Sequence, residues 1–176
     1  MYRKLRSLHR WAGLVSSLFL ILIASTGFLL ANKPRWDWVQ PPTLSGDEIE
    51  NLSEAISVDR AAQAAFDIGL PELKSREDID RIDYRPGKNV YKIVSKRGYR
   101  EVQVDGKTGE VLSNQYRTDQ LTEDIHDLSY FADFAHAWVL PAVGLLLFFL
   151  GVSGVSMFFT PAVRRWRYRR SLKTKP

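Results

Sequence analysis

Apolar residues are concentrated in two uncharged blocks, one near each end of the 176-residue chain. The first block runs from Trp11 to Ala31 and the second from Ala137 to Phe159, and neither contains a charged side chain. As helices, blocks of this length extend about 30 Å, which matches the hydrocarbon thickness of a bilayer. Blocks of this kind are also found as buried core helices, and a block near the N-terminus is also typical of a cleaved signal peptide. The remaining chain is too polar to cover two such helices, and no small-x-small cleavage signal follows the first block, so we predict two transmembrane helices.

Between the blocks, the hydrophobic period indicates a small α+β domain. Ser57 has the side chain of a helix N-cap, and the apolar positions after it repeat with a helical period as far as Gly69 and Pro71. The period then changes to two in four stretches separated by turn sequences; the predicted strands are Ile79–Tyr84, Val90–Ser95, Arg100–Val104 and Glu110–Asn114. The predicted fold class is therefore an α-helical membrane protein with two transmembrane helices and a small α+β domain of one helix and antiparallel strands.

The charged residues indicate which side of the membrane each part occupies. Residues 1–10 hold four Lys and Arg and residues 161–176 hold seven, with no Asp or Glu in either tail. All 20 carboxylates lie between, so tails of +11 and a middle of −6 make up the net charge of +5. Because basic flanks remain in the cytoplasm, we expect both termini there and the middle domain on the periplasmic side of a bacterial inner membrane. The basic tails then contact anionic membrane lipid, and the high pI gives no indication of nucleic acid binding.

These patterns predict seven segments along the chain. They are a basic cytoplasmic N-terminus (1–10), a transmembrane helix (11–31), a Pro-rich linker near the membrane surface (32–48), the extracytoplasmic α+β domain (49–118), a membrane-proximal segment (119–136), a second transmembrane helix (137–159) and a basic cytoplasmic tail (160–176). The chain has no Cys, which excludes disulfides and thiolate chemistry.

Five short motifs resemble those of a known family. The hairpin Tyr99–Leu112 (YREVQVDGKTGEVL), with the helix and strand before it, resembles a PepSY domain. The flanking segments resemble the PepSY-associated transmembrane family in Leu8–Gly13 (LHRWAG), Ser25–Gly27 (STG), Ile125–Asp127 (IHD) and Ser153–Gly154 (SG). This resemblance covers nearly the whole chain and identifies the α+β domain as PepSY-like.

The resemblance implies a cofactor and a function. Many members of that family are iron-regulated inner-membrane proteins, and those that resemble siderophore reductases carry b-type haem and pass electrons to a ferric chelate outside the cytoplasm. Those reductases typically have four spans, whereas this sequence predicts two. The chain therefore resembles a half-size unit, and we expect it to form a homodimer or to join a larger membrane complex.

Three histidines are the candidates for haem binding and iron ligation. His9, His126 and His136 are all the histidines of the chain, and each lies at or near a predicted membrane boundary. Imidazole is the usual axial ligand of b-type haem, and the small residues of both spans can open the apolar slot that the ring needs. The alternative is that these histidines are ordinary interfacial polar residues and that the small residues serve close helix packing.

The positions of the histidines limit how they can pair. His9 precedes the first span on the cytoplasmic side and His136 precedes the second on the outer side, so about 30 Å of bilayer separates them. If the chain from Ile125 onward is one helix, His126 and His136 are about 15 Å apart along it. A haem with two histidine ligands then requires a second chain. The apolar neighbours of His136 favour it as the outer ligand, whereas the resemblance favours His126.

No motif identifies catalytic residues. Hydrolase, zinc-protease, phosphate-binding and dinucleotide-binding motifs are absent, so any electrons must come from a separate donor. Histidines at both faces favour a haem b protein that passes electrons across the membrane to a periplasmic acceptor such as a ferric chelate, as a reductase or as an electron-transfer subunit. The short chain and the absence of a catalytic set favour instead a cofactor-free PepSY binding or regulatory module, or an accessory subunit of a larger complex.

Overall fold

The computed structural model describes residues 2–173, which form four α-helices and four strands joined by short turns. The helices are α1 (Tyr2–Asn32), α2 (Val58–Asp67), α3 (Thr118–His126) and α4 (Leu140–Lys173). The strands are β1 (Ile79–Arg85), β2 (Val90–Ser95), β3 (Arg100–Asp105) and β4 (Val111–Tyr116). The chain divides into two compact units. The helix unit contains the residues up to Gly27 and those from Asp124 onward, and the sheet unit is Phe28–Glu123.

Two helices of the protein are long and apolar enough to cross a bilayer. Within the described residues these candidate spans are Arg3–Arg35 and Ala135–Arg170. Their apolar side chains are largely exposed: Leu18 is 75%, Leu145 73% and Phe158 76% exposed. Lipid chains solvate such side chains, whereas water does not. The structure thus confirms the two predicted membrane-spanning helices.

The sheet unit is an antiparallel meander with the strand order β1-β2-β3-β4. Ile93 in β2 pairs with Ile82 in β1 and with Val102 in β3, so the register brings apolar side chains onto one face. Helix α2 packs on that face; the buried core there consists of Ala61, Ala65, Leu73, Tyr91, Ile93, Val102 and Val104. The predicted α+β domain of one helix and antiparallel strands is therefore confirmed.

Residues 39–47, which we call the strap, pack against the side chains of the other sheet face without forming a helix or strand. Gln103 in β3 is fully buried; its Nε2 donates to the Pro42 carbonyl at 2.9 Å and its Oε1 accepts from the Leu44 N–H at 2.8 Å. The Asp119 N–H donates to the Val39 carbonyl at 2.7 Å. Side chains that alternate away from the α2 face thus find their partners in backbone groups of the Pro-rich segment.

The boundaries of the small elements follow from local chemistry. Helix α2 begins at Val58 as predicted, because the Ser57 hydroxyl accepts from the Arg60 N–H at 3.2 Å. Strand β2 has the predicted bounds, β1 and β3 are each one residue longer, and β4 starts one residue later and ends two later. The third helix, α3, was not predicted, and it follows β4 almost directly.

The chain from Ile125 onward is not one helix. Helix α3 ends at His126, Leu128 has a φ of +67°, and the Tyr130 N–H donates back to the Asp124 carbonyl at 2.9 Å. A π-helical turn, Ala135–Val139, then leads into α4. The 15 Å separation predicted from a continuous helix therefore does not apply to His126 and His136.

Gly106→Ala is expected to lower the free energy of unfolding of the sheet unit by about 1–3 kcal/mol. A Cβ at Gly106 would overlap Asn89 Oδ1 and would lie 2.9 Å from the Asn89 carbonyl oxygen. Asn89 cannot retreat easily because it is buried, its Nδ2 donates to the Asp47 carbonyl at 2.7 Å, and its Oδ1 accepts from the Tyr84 hydroxyl at 2.8 Å.

Gly87→Ala is the matched control, because an added Cβ there meets no atom of the described residues within 4 Å. We expect it to change the unfolding free energy by less than about 0.5 kcal/mol. Denaturant unfolding of the full-length protein in detergent, followed by circular dichroism, measures both values. Equal values for the two variants would contradict the close approach of Gly106 to Asn89.

Candidate functional site

His9 lies on α1 and reaches across to α4. Its Nδ1 is 2.7 Å from the Ser153 hydroxyl oxygen, and a Cβ added to Gly154 would lie 3.6 Å from His9 Cε1. Ser153 is only 4% exposed, whereas His9 is partly exposed. The ring therefore occupies a position between the two helices, next to a hydroxyl and a glycine that follow one another in α4.

His126, the last residue of α3, makes the same kind of contact with α1. Its Nδ1 is 2.8 Å from the Thr26 hydroxyl oxygen, and a Cβ added to Gly27 would lie 3.3 Å from His126 Cε1. That separation is tighter than ordinary van der Waals contact, so glycine is the residue that gives the ring its room. A hydroxyl residue followed by glycine again receives an imidazole from another helix.

The hydroxyl groups determine which nitrogen of each ring carries the proton. Ser153 Oγ lies 2.7 Å from the Phe149 carbonyl oxygen, and Thr26 Oγ1 lies 2.8 Å from the Leu22 carbonyl oxygen. Two oxygens this close need a hydrogen between them, and a hydroxyl has only one. A hydroxyl that donates to its own helix can only accept from the imidazole, so each arrangement favours a ring with a proton on Nδ1. In a neutral imidazole of that kind the lone pair is on Nε2.

The two imidazoles stand near opposite ends of α1. His9 and Thr26, the partner of His126, are 17 positions apart on this helix, which corresponds to about 25 Å. One iron cannot bind both rings. A ligand role for both rings would therefore require two separate sites.

His136 has a different environment. It lies on the π-helical turn before α4, its side chain is 53% exposed, and its Nδ1 is 3.1 Å from the Asp127 carbonyl oxygen and 3.5 Å from Asp127 Oδ2. The apolar neighbours that favoured His136 in the sequence do not enclose its ring. Of the two outer candidates, His126 is the one that shares the arrangement of His9.

A cavity of about 580 Å³ opens beside His9. It is lined by Arg3, Arg6, Ser7, His9, Arg10 and Met157. Its three guanidinium groups suit a ligand with carboxylate or phosphate oxygens, because guanidinium binds such groups through paired hydrogen bonds. From the sequence these arginines are predicted only to set topology and contact lipid, and the structure adds that they line one cavity with His9.

A row of ion-paired side chains with alternating charge connects the sheet to the start of α3. Arg117 donates to both carboxylate oxygens of Asp119, at 3.0 and 2.6 Å, and to Glu101 at 3.2 Å. Lys92 lies 3.0 Å from Glu101, and Lys33 lies 3.7 Å from Asp119. Burial alone would raise the pKa of Asp119, but its bonds with the Arg117 guanidinium hold that pKa below its ordinary value of 3.8.

These charges fix the amino end of α3, the helix that carries His126 at its other end. Asp119 is fully buried and Glu101 is 1% exposed, so the carboxylates have no water to replace a lost partner. This cluster is not predictable from the sequence, because its members are separated along the chain and only their pairing in the folded sheet unit brings them together.

His9 and His126 fit b-type haem in ligand type, because haem iron binds imidazole through a nitrogen lone pair. Beside His9 the cavity and its arginines would also suit the carboxylate groups of such a ligand. Each site offers one imidazole from this chain. Among the described residues, no group of three or more His, Asp or Glu is arranged to hold a metal ion directly.

The two spanning helices and the four-stranded domain define the class: a two-span membrane protein with a small α+β domain. The chain belongs to the PepSY-associated TM region family, whose model matches residues 6–175. None of the curated proteins matches this chain.

Proposed function

We propose that this protein is an inner-membrane b-type haem protein that carries electrons from a cytoplasmic donor to an acceptor on the periplasmic side. One observation supports the proposal: two imidazoles near opposite ends of α1 each have Nδ1 within hydrogen-bond distance of a hydroxyl that also bonds to its own helix. A purely structural histidine needs no such repeated arrangement. Family membership supports a membrane role but does not specify a cofactor.

Bound haem b supplies an iron that accepts and gives up one electron at a time. His9 and His126 would hold it near the two ends of α1, with His136 as the alternative outer ligand. The guanidinium groups of Arg3, Arg6 and Arg10 would supply positive charge beside His9 for a ligand with carboxylate groups, as haem has.

A second copy of the chain completes the sites in this proposal. A two-fold axis along the membrane normal would bring each histidine to its equivalent in the partner copy, so that a homodimer would hold one haem near each face of the membrane. The two haems would supply one-electron transfer between the two faces. The proposed acceptor is the ferric iron of a chelate, which takes up one electron.

The proposed orientation follows from the charges of the chain. The two tails are basic and free of carboxylates, and the sheet unit lies between the spans, so the basic-flank rule assigns both termini to the cytoplasm. The His9 site is then cytoplasmic and the His126 site periplasmic. The basic tails bring the protein into contact with anionic lipid.

Electron transfer across sealed proteoliposomes tests the function. Vesicles that contain the haem-loaded protein and trapped ferricyanide receive dithionite outside, and the loss of ferricyanide absorbance is followed. We expect a rate well above that of protein-free vesicles, which measure leakage of the reductant. A trapped ferric chelate then replaces ferricyanide and tests the proposed substrate class.

Vesicles with His126→Ala protein are the matched control, because they retain one site and interrupt the path. Their rate is expected to fall to the protein-free value. If the haem-loaded wild-type protein also gave the protein-free rate, transmembrane electron transfer would be wrong. If the protein held no haem, the cofactor-free binding module would be the better description.

A further inference from the structure

We propose that Ser153 and Thr26 are positioning residues that hold His9 and His126 in the Nδ1-protonated tautomer and so present Nε2 to haem iron. This inference rests on the proposed function and goes beyond it, because it assigns roles to two hydroxyl residues that touch neither the iron nor the acceptor. In both sites the histidine Nδ1–H would donate to a hydroxyl of a neighbouring helix.

Each hydroxyl can act only as an acceptor toward its histidine. The Ser153 proton is engaged with the Phe149 carbonyl, and the Thr26 proton with the Leu22 carbonyl, one helical turn earlier in each case. A water molecule or a freely rotating hydroxyl would donate or accept equally well. A hydroxyl tied to its own helix imposes one tautomer on the ring.

The same arrangement occurs twice, and α1 supplies the ring in one case and the hydroxyl in the other. The residue pair Ser153-Gly154 on α4 receives a ring from α1, and the pair Thr26-Gly27 on α1 receives a ring from α3. In both pairs the hydroxyl bonds to Nδ1 and the following glycine leaves space beside Cε1. A Cβ added to Gly154 would lie 3.6 Å from His9 Cε1, and one added to Gly27 would lie 3.3 Å from His126 Cε1. Helix packing alone requires small residues but does not require a hydroxyl at Nδ1 in both places.

The hydrogen bond at Nδ1 changes how strongly the imidazole would bind iron through Nε2. A hydrogen bond from Nδ1–H makes an imidazole a stronger electron donor at Nε2, and groups that orient a ligand in this way typically change metal affinity by about 10–100-fold. A more basic ligand favours ferric over ferrous iron. Loss of the hydroxyl should therefore weaken haem binding and raise the midpoint potential of the haem at that site.

Thr26→Val and Thr26→Ser form the matched pair for the test. Valine keeps the shape of threonine without the hydroxyl, and serine keeps the hydroxyl. In full-length protein in detergent, we expect Thr26→Val to raise the haem dissociation constant of one site by about 10–100-fold and to shift one midpoint potential upward. Thr26→Ser should remain within about twofold of the wild-type protein on the same principle.

Two further measurements separate positioning from general damage. Ser156→Ala removes a hydroxyl that donates to the Val152 carbonyl at 2.8 Å, and it should leave both potentials unchanged. Nitrogen NMR of ¹⁵N-histidine protein without haem should give the Nδ1-protonated tautomer for His126 in the wild-type protein and a shift toward the other tautomer in Thr26→Val. Ser153→Ala should produce the corresponding changes at His9 alone.

The outcomes distinguish this inference from the function on which it rests. If wild-type protein binds haem but Thr26→Val and Thr26→Ser have the same dissociation constants, potentials and tautomers, the positioning role is wrong and the proposed function stands. If wild-type protein binds no haem, the proposed function fails and the inference fails with it.

Discussion

His9→Ala and His126→Ala are each expected to remove one haem and to leave the other in place. The two rings contact hydroxyls that are 17 residues apart on α1, about 25 Å, so neither ring can replace the other at its iron. Haem per chain should fall to about half in each single variant and to zero in the double variant, because each haem depends on one histidine from each copy. Pyridine haemochrome analysis of protein purified in detergent measures these ratios.

His136→Ala is the control for the outer site. Because its side chain is half exposed and already bonded to Asp127, we expect the variant to keep both haems.

Replacement of His9 or His126 by glycine leaves a space that free imidazole can fill, so added imidazole should restore the lost spectrum. Loss of all haem from His9→Ala, with no change in either outer variant, would contradict the two-site arrangement and leave one cytoplasmic-face haem. Loss of the outer haem from His136→Ala alone would move the outer ligand to His136.

Arg117→Ala is expected to lower the free energy of unfolding of the sheet unit by about 3–5 kcal/mol, because it leaves buried carboxylates without their main partner. Asp119 is fully buried and loses two hydrogen bonds, and Glu101 loses one. The remaining cations, Lys33 and Lys92, are single ammonium groups that cannot reproduce the paired guanidinium contacts. Urea unfolding of the full-length protein in detergent measures the difference from wild type.

The pH dependence of this difference gives a second test. Because the folded-state pKa of Asp119 is depressed, the stability that the pair contributes is present above the ordinary value of 3.8 and is lost as the pH falls through the lower folded-state pKa. In Arg117→Ala, burial favours protonation of Asp119, so acid relieves the penalty. The gap between variant and wild type should therefore be largest near neutral pH. It should begin to narrow as the pH falls through the pKa of Asp119 in the variant, which burial raises above 3.8.

Arg81→Ala is the matched control on the same sheet. Arg81 pairs with Asp80 at 2.8 Å and Asp83 at 3.4 Å, but its side chain is 41% exposed, so water replaces the lost partners. We expect a cost of no more than about 1 kcal/mol. An equal cost for Arg81→Ala and Arg117→Ala would mean that burial does not set the strength of the Arg117 cluster.

Much of the fold is predictable because each element has a local signal. The uncharged blocks that begin at Trp11 and Ala137 gave the spans, Ser57 gave the start of α2, and alternation from Val90 to Ser95 gave β2 without error. Helix α3 has a weaker signal, since its nine residues are mostly polar and its position depends on Asp119, which bonds to Arg117 and to the strap. Such long-range contacts are not visible in a sequence window.

The candidate site is predictable in part for a related reason. His9, His126 and His136 could be named from the sequence because the chain has only three histidines near predicted boundaries. Their ranking could not be predicted, because the chain turns at Leu128 instead of continuing as one helix, and only the structure shows that His126 contacts Thr26. The signals for the partners were the short motifs around Thr26-Gly27 and Ser153-Gly154, but only the structure connects each hydroxyl with its imidazole.

The absorption spectrum of the purified full-length protein, oxidised and dithionite-reduced, tests the central claim most directly. Protein from haem-replete cells should have a Soret band and sharp reduced α and β bands of six-coordinate b-type haem, with about one haem per chain because two copies share each of two haems. A colourless preparation that takes up no haem when haem is added would contradict haem ligation by His9 and His126.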